Sequence, residues 1–281
     1  MSLKELRRRI TSVKSTQKIT AAMKMVASAK LRRLQERTHF GHDYIERLNS
    51  IGHYLGNIQY DLEEKSTWFS AEGHYDLIII FGAEKGLCGS FHSNLMRKIH
   101  QEMENHSKKQ VIIFGQKAAE VLKNRYHFCK NLNVDIQNPT MQTFLNLAKA
   151  IEPLKQKKEI GRIHVIGSKF KNILTQQPFS KTLCPFDFES QQSICDTNIF
   201  EPSPDVFLPH FFTHYLSANL HQMWIETLTG EMAARMTAMD NATRNAKEML
   251  EDLNLDYNRT RQAKITTELT EIIAGSEGVQ Q

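Results

Sequence analysis

Gly82-Ala-Glu-Lys-Gly86-Leu-Cys-Gly89-Ser90 is the stretch that most invites a chemical reading, because it joins an apolar run to helix-type sequence. Backbone amides at such a junction can cradle a phosphate. The spacing fits neither G-x-G-x-x-G nor G-x-x-x-x-G-K-[ST], and no Lys-Ser pair opens the helix, so a tight turn is the better reading. Cys88 inside it reads as a small, semi-buried side chain rather than a reactive thiol. Cys88, Cys129, Cys184 and Cys195 show no CxxC spacing, which argues against a zinc knuckle or a disulfide framework and for reduced thiols. His210, His214 and His221 stand at helical spacings. A zinc site needs three or four convergent ligands with outer support, and no cysteine lies close in sequence, so partly exposed helix histidines are expected. No Ser/His/Asp arrangement or carboxylate pair assembles from the sequence, and no catalytic, cofactor-binding or metal-binding residue is assigned.

The elements that would position such groups are unusual. Of 281 residues, 40% are hydrophobic and 24% charged, values ordinary for a soluble protein. No run of about 18 apolar residues offers a membrane span, and the N-terminus lacks an apolar signal core. The net charge of +5 hides an asymmetry. Residues 1–37 carry eleven Lys or Arg against Glu5 and Glu36, a net +9, whereas residues 208–281 carry six basic and ten acidic residues, a net −4. Two terminal segments of opposite charge are expected to face each other.

All seven prolines lie between Pro139 and Pro209, so both ends can form long helices. The first is expected from Leu3 to about Leu55, opened by a Ser2/Glu5 capping box. Its apolar stripe runs through Leu3, Leu6, Ile10 and Val13, then Ile19, Met23 and Val26, and returns at Leu31 and Leu34. Gln17, Thr20 and Lys24 interrupt it. Arg7, Arg8, Arg9, Arg32 and Arg33 read as a solvated or partner-facing surface. The basic run has no interleaved aromatics, which argues against nucleic acid. The last helix is expected from about Phe211 to Ile273, roughly 90 Å long. Its stripe of Leu220, Trp224, Leu228, Met232, Arg235, Met239, Ala242, Ala246, Met249, Leu253 and Tyr257 has a mean spacing of roughly 3.7, implying weak twist. If both helices start level, the second overshoots by roughly 15 Å, leaving a single-helix tip in Arg261–Gly275.

Between them strands and helices alternate: strands at 76–81, 110–114, 162–167, near Val134 and near 180–186, with helices at 90–105, 116–125 and 141–157. This pattern indicates an α/β domain with a mainly parallel sheet. Residues 199–209, with three prolines, read as a stiff connector. The expected fold is therefore α/β: a long antiparallel two-helix coiled coil from the N- and C-terminal helices plus a central Rossmann-like α/β domain. The segments are 1–57, 58–207 and 208–281.

Thr16–Leu31 (TQKITAAMKMVASAKL), Lys85–Phe91 (KGLCGSF), Phe200–Pro204 (FEPSP), Ala233–Thr243 (AARMTAMDNAT) and Asn258–Gly275 (NRTRQAKITTELTEIIAG) together carry a resemblance. In order and spacing the whole chain resembles the gamma subunit of bacterial F-type ATP synthase. That resemblance implies a non-catalytic central-stalk rotor, coupling proton flow to ATP synthesis on the beta subunits by rotation inside the alpha–beta hexamer. The implied partners are alpha, beta, the epsilon subunit and the membrane c-ring, at the cytoplasmic face of the bacterial inner membrane. No cofactor, direct nucleotide binding or nucleic acid is implied. Met23, Lys24, Arg261 and Gln262 would contact beta. Gly86, Cys88, Gly89, Glu201, Pro202 and Pro204 would face the ring or lower beta elements. Gly230-Glu231-Met232 replaces the family's usual Ser-Glu-His and is expected to loosen the helix locally, and the tail after Gly275 is more polar than usual. Without a family resemblance, a coiled-coil scaffold or tether with an α/β base domain is the alternative.

Overall fold

The computed structural model describes residues 2–56, 67–126, 139–187 and 204–279. It contains α1 (Leu3–Gly56), a 3-10 turn (Thr67–Phe69), β1 (Tyr75–Phe81), α2 (Phe91–Glu104), β2 (Lys109–Phe114), α3 (Gln116–Leu122), α4 (Met141–Gln156), β3 (Ile160–Phe170), β4 (Gln176–Cys184) and α5 (Pro204–Val279). The chain divides into two compact units, 1–28 with 235–281, and 29–234. The expected strand near Val134 falls outside the described residues.

In the unit of residues 29–234, four strands form one sheet in the order β2-β1-β3-β4. β1 pairs parallel with β2 and β3, and β4 closes the edge antiparallel to β3. The apolar run of β1 is buried on both faces, as a strand between two helical layers must be. Leu77, Ile79 and Phe81 meet Phe144, Leu147 and Ile151 of α4 and Leu216, Leu220 and Trp224 of α5. Ile78 and Ile80 meet Leu95, Ile99 and Met103 of α2 and Ala118 and Leu122 of α3.

Within this unit α5 is enclosed on nearly every side from Phe211 to Ala234, rather than along one stripe. Gln222, Glu226, Thr227, Thr229 and Glu231 are all buried there. The second half of α1 lies antiparallel to it. Tyr215 donates from its hydroxyl to Asn49 Oδ1 at 2.9 Å, His42 Nε2 stands 3.1 Å from Glu226 Oε1, and the Thr38 and Thr229 hydroxyls are 3.4 Å apart. Helix α5 continues through Gly230 without loosening, contrary to expectation. An added Cβ there would stand 3.3 Å from Phe91 Cε2 and 3.4 Å from Gln176 Cγ, so the glycine permits close approach of α2 and β4.

The segment 199–209 also differs from expectation, because α5 already begins at Pro204. Proline suits the first helical position, where the missing N–H would have no partner. Pro209 lies inside the helix, and its carbonyl accepts from the Thr213 hydroxyl at 2.9 Å.

Lys155 on α4 is almost fully buried, and its ammonium donates to the carbonyls of Ser70, at 2.7 Å, and Gly161. Burial lowers its pKa, and burial pushes the nearby Cys184 thiol up to about 11. Lys155→Met removes the donor and strands two carbonyls, so unfolding in urea is expected to show a loss of about 1–3 kcal/mol. A variant as stable as the parent would show that these hydrogen bonds contribute nothing net.

In the unit of residues 1–28 and 235–281, the capping box forms as expected. Ser2 N donates to Glu5 Oε2 at 2.8 Å, and Glu5 N to Ser2 Oγ at 3.2 Å. A seam of half-buried and buried positions in α1 runs Leu3, Leu6, Ile10, Val13, Gln17, Thr20, Lys24 and Ala27, alternating steps of three and four, with Ala21 and Met23 half-buried beside it. Thr20 and Lys24 therefore continue the seam that they were expected to interrupt, while Ile19 and Val26 point outward. The facing stripe of α5 runs Met239, Thr243, Ala246, Leu250, Leu253, Tyr257 and Thr260, and Met249 is exposed. Over Met239–Thr260 the stripe thus keeps the 3.5 period of a heptad seam, shorter than the mean of roughly 3.7 expected from Leu220 to Tyr257.

Candidate functional site

Two groups of residues singled out in the sequence take shape separately. In the coiled-coil unit, Lys24 Nζ donates to Asp240 Oδ1 at 2.6 Å, and Thr243 Oγ1 to Thr20 Oγ1 at 2.8 Å. Lys24 is thereby committed to the seam, and half-buried Met23 flanks it. Ile19, Met25 and Val26 face outward with exposures of 58%, 70% and 58%. A water-soluble helix pair gains nothing from apolar residues there, so this surface suits a protein partner. Arg7, Arg8, Arg9, Arg32 and Arg33 are also exposed, each within its own unit.

The hydrogen bond from Lys24, with Arg244 nearby, holds the Asp240 carboxyl below its ordinary value of 3.8. A carboxyl lowered in the folded state adds stability above its unfolded value, and that increment disappears as pH falls through the folded value. Asp240→Asn is expected to remove this increment. The drop in melting temperature between neutral pH and the acid side of 3.8 should then shrink in the variant. Identical acid profiles for parent and variant would refute the linkage.

Beyond Thr260 every described side chain of α5 through Ile273 is exposed, including Arg261 and Gln262. The helix continues to Val279, so Arg261–Val279 forms roughly 28 Å of helix beyond the last seam contact, longer than the expected overshoot. Ile265, Leu269, Ile272 and Ile273 add an apolar surface to this tip.

The glycine-containing turn lies in the other unit. Leu87 and Gly89 take positive φ of 62° and 56°, turning the chain sharply into α2. Cys88 is buried beneath the turn, so its outer surface is formed by Gly86, Leu87 and Gly89. An added Cβ at Gly86 would meet nothing within 4 Å, which leaves its outer side open. The backbone amides of Glu84 and Lys85 donate to the two carboxyl oxygens of Glu231 on α5, at 3.0 and 3.4 Å. Glu84 Oε2 in turn accepts from the Gln116 amide that opens α3, at 3.3 Å. A carboxyl group of the chain itself thus occupies amides that a phosphate would need. Glu231 escaped the sequence reading as a site residue, although a carboxylate amid Leu228, Met232 and Ala233 is a signal of buried pairing. Glu201 and Pro202 lie outside the described residues, and Pro204 opens α5.

His210 and His214 are exposed on α5, whereas His221 is half-buried with its ring 5.8 Å from that of Phe144. Burial lowers the His221 pKa, aided by Arg37. No helix among the described residues is long and apolar enough to cross a membrane.

Comparison with known proteins agrees over the whole length. A family model described as ATP synthase matches residues 2–279. The ATP synthase gamma chain of Pelagibacter ubique is 36% identical over 289 residues, covering 99% of each chain. That of Hyphomonas neptunium is 36% identical over 290 residues, again covering 99% of each. Among solved structures, the rotor of the Euglena gracilis mitochondrial ATP synthase is similar in fold at a TM-score of 0.62 and 17% identity, covering 94% of this chain and 98% of that one. The central stalk and c-ring structure of the Tetrahymena thermophila mitochondrial enzyme includes a chain with a TM-score of 0.59 and 22% identity, covering 80% of this chain and 99% of that one. With the paired terminal helices and the intervening sheet in place, the full-length agreement with bacterial gamma chains establishes that this chain belongs to the ATP synthase gamma family.

Proposed function

We propose that this chain is the central-stalk rotor of a bacterial F-type ATP synthase, turning inside an alpha–beta hexamer and transmitting proton flow to ATP synthesis. The carrying observation is the coiled-coil unit itself. Its seam is satisfied, yet it exposes apolar residues outward at Ile19, Met25 and Val26 and along a single-helix tip. Such a surface fits a surrounding sleeve. A shaft without threefold symmetry touches three identical partners differently, and that difference in contact free energy is what moves each partner between states.

The ATP chemistry resides on the beta subunits, and the chain itself contributes no nucleotide-binding group. Met23, Arg261 and Gln262 contact beta, while Lys24 shapes the same surface through its bond to Asp240. Gly86 and Gly89 offer the turn above buried Cys88 to the ring or lower beta elements, together with Glu201, Pro202 and Pro204. Alpha, epsilon and the c-ring complete the partner set, at the cytoplasmic face of the inner membrane. The test is purification of the complex through a tag on this chain, followed by single-molecule rotation driven by ATP. Stoichiometric recovery of alpha and beta with rotation of the tagged chain is expected. A chain that purifies alone, or that stays fixed while its complex hydrolyses ATP, overturns the proposal.

A further inference from the structure

On the sheet face covered by α2, three side chains converge that the rotor reading does not use. Asp76 lies at the start of β1, His106 follows α2, and His164 is central in β3, paired in register with Ile78. One ligand-type atom from each lies within 4.8 Å of the other two. The imidazole rings of His106 and His164 are 4.3 Å apart at 56°.

Each group is held by an outer contact. Asp76 Oδ1 accepts from the Arg162 amide at 3.1 Å, and Asp76 Oδ2 stands 2.8 Å from His106 Nδ1. His164 Nδ1 faces the Thr182 hydroxyl at 2.9 Å. His164 Nε2 is buried and has no hydrogen-bond partner. A buried polar atom left without a partner is costly, and here it lies beside an imidazole and a carboxylate. With Nδ1 protonated toward Thr182, Nε2 carries a free lone pair. Burial, followed by the nearby His106, brings His164 down to about 4, so the neutral ring is the ordinary form near neutral pH.

We propose that Asp76, His106 and His164 form a binding site for a divalent transition-metal ion of the zinc type, clipping β1, β3 and the turn after α2 together. Two imidazoles and one carboxylate suit zinc, cobalt or nickel, whereas magnesium and calcium prefer all-oxygen shells. Zinc bonds of about 2.0–2.1 Å place ligand atoms roughly 3.3 Å apart, so the longer separations close by roughly 1.5 Å or less while the His106–Asp76 pair opens slightly. Binding replaces the His106–Asp76 contact with two metal bonds, and a water completes the shell. The Thr182 hydroxyl and the Arg162 amide are the outer contacts that orient metal ligands generally. The Glu102 carboxylate also faces His164 and favours a cation, while the Arg162 charge opposes one.

The test uses the full chain, stripped with chelator and titrated with cobalt, then competed with zinc. One equivalent is expected per chain, with a tetrahedral cobalt absorption band and micromolar or tighter affinity. His164→Gln and His106→Gln should each weaken binding by about 100-fold or more, and Thr182→Val, which keeps all three ligands, by about 10–100-fold. His39→Gln and His210→Gln should leave it unchanged. Circular dichroism verifies folding, and Thr182→Val decides the outcome if a ligand variant does not fold. Absence of a one-equivalent site at about 1 mM metal overturns the proposal, as does affinity unaltered in His164→Gln and Thr182→Val.

Discussion

Met23→Lys is expected to lower proton pumping per ATP hydrolysed about fivefold while leaving assembly and hydrolysis within about twofold of the parent. Met23 flanks the seam without belonging to it, and its neighbour Lys24 is already bound to Asp240. The new ammonium therefore meets an occupied carboxylate inside the chain and, on the proposed rotor reading, seeks acidic groups on the surrounding sleeve. An extra contact that forms in one hexamer state and not in another changes the differential free energy by which rotation is coupled. A change of about 1 kcal/mol there alters the balance of states about fivefold. On the proposed rotor reading, hydrolysis persists because the substitution lies on a coupling surface and touches no reacting group. Proton uptake and ATP hydrolysis measured together on inverted vesicles decide the matter: an unchanged ratio removes Met23 from the coupling surface. Asp240→Asn provides a second arm, since loosening the seam without adding charge should change stability more than coupling.

Glu231→Gln should destabilise the unit of residues 29–234 by about 2–3 kcal/mol. Both carboxyl oxygens of Glu231 accept backbone amides of the turn, at 3.0 and 3.4 Å. The amide replacement offers one oxygen and sets an NH2 group against the other backbone donor. Water has little access, because Glu231 is fully buried. The first consequence is local: the amides of Glu84 and Lys85 should lose protection in hydrogen exchange. The second is that α3 loses support, since Glu84 also caps Gln116. Equilibrium unfolding in urea gives the global figure and exchange gives the local one. Unchanged values in both would show that the turn stands without its carboxyl anchor.

Much of this architecture was legible in the residues. The Ser2/Glu5 cap, the missing prolines of the two ends and their opposite charges pointed to paired helices, and the run Asp76–Phe81 pointed to a doubly buried strand. Each is a local signal, set by side-chain period or backbone chemistry over a few neighbours. The seam of α1 was less legible, because Gln17, Thr20 and Lys24 look like interruptions until their partners are known. A heptad seam keeps its 3.5-residue period regardless of polarity, so Thr20 and Lys24 turn inward to Thr243 and Asp240 while Ile19 and Val26 turn outward.

The glycine-containing turn followed the same division. Its position between strand and helix is written in Gly82–Ser90, and so is its mismatch to phosphate-binding motifs. The burial of Cys88 was expected in part, whereas the capture of the Glu84 and Lys85 amides depended on Glu231, about 150 positions away. The grouping of Asp76, His106 and His164 is of the same kind: three elements contribute one side chain each, and only strand register brings them within reach. Sequence alone determined that this protein has two long helices flanking an α/β sheet, since periodicity, capping and breaker placement act locally. Tertiary structure decided which faces of those helices are spent on each other and which are left outward, because that choice rests on pairings between residues far apart in the chain.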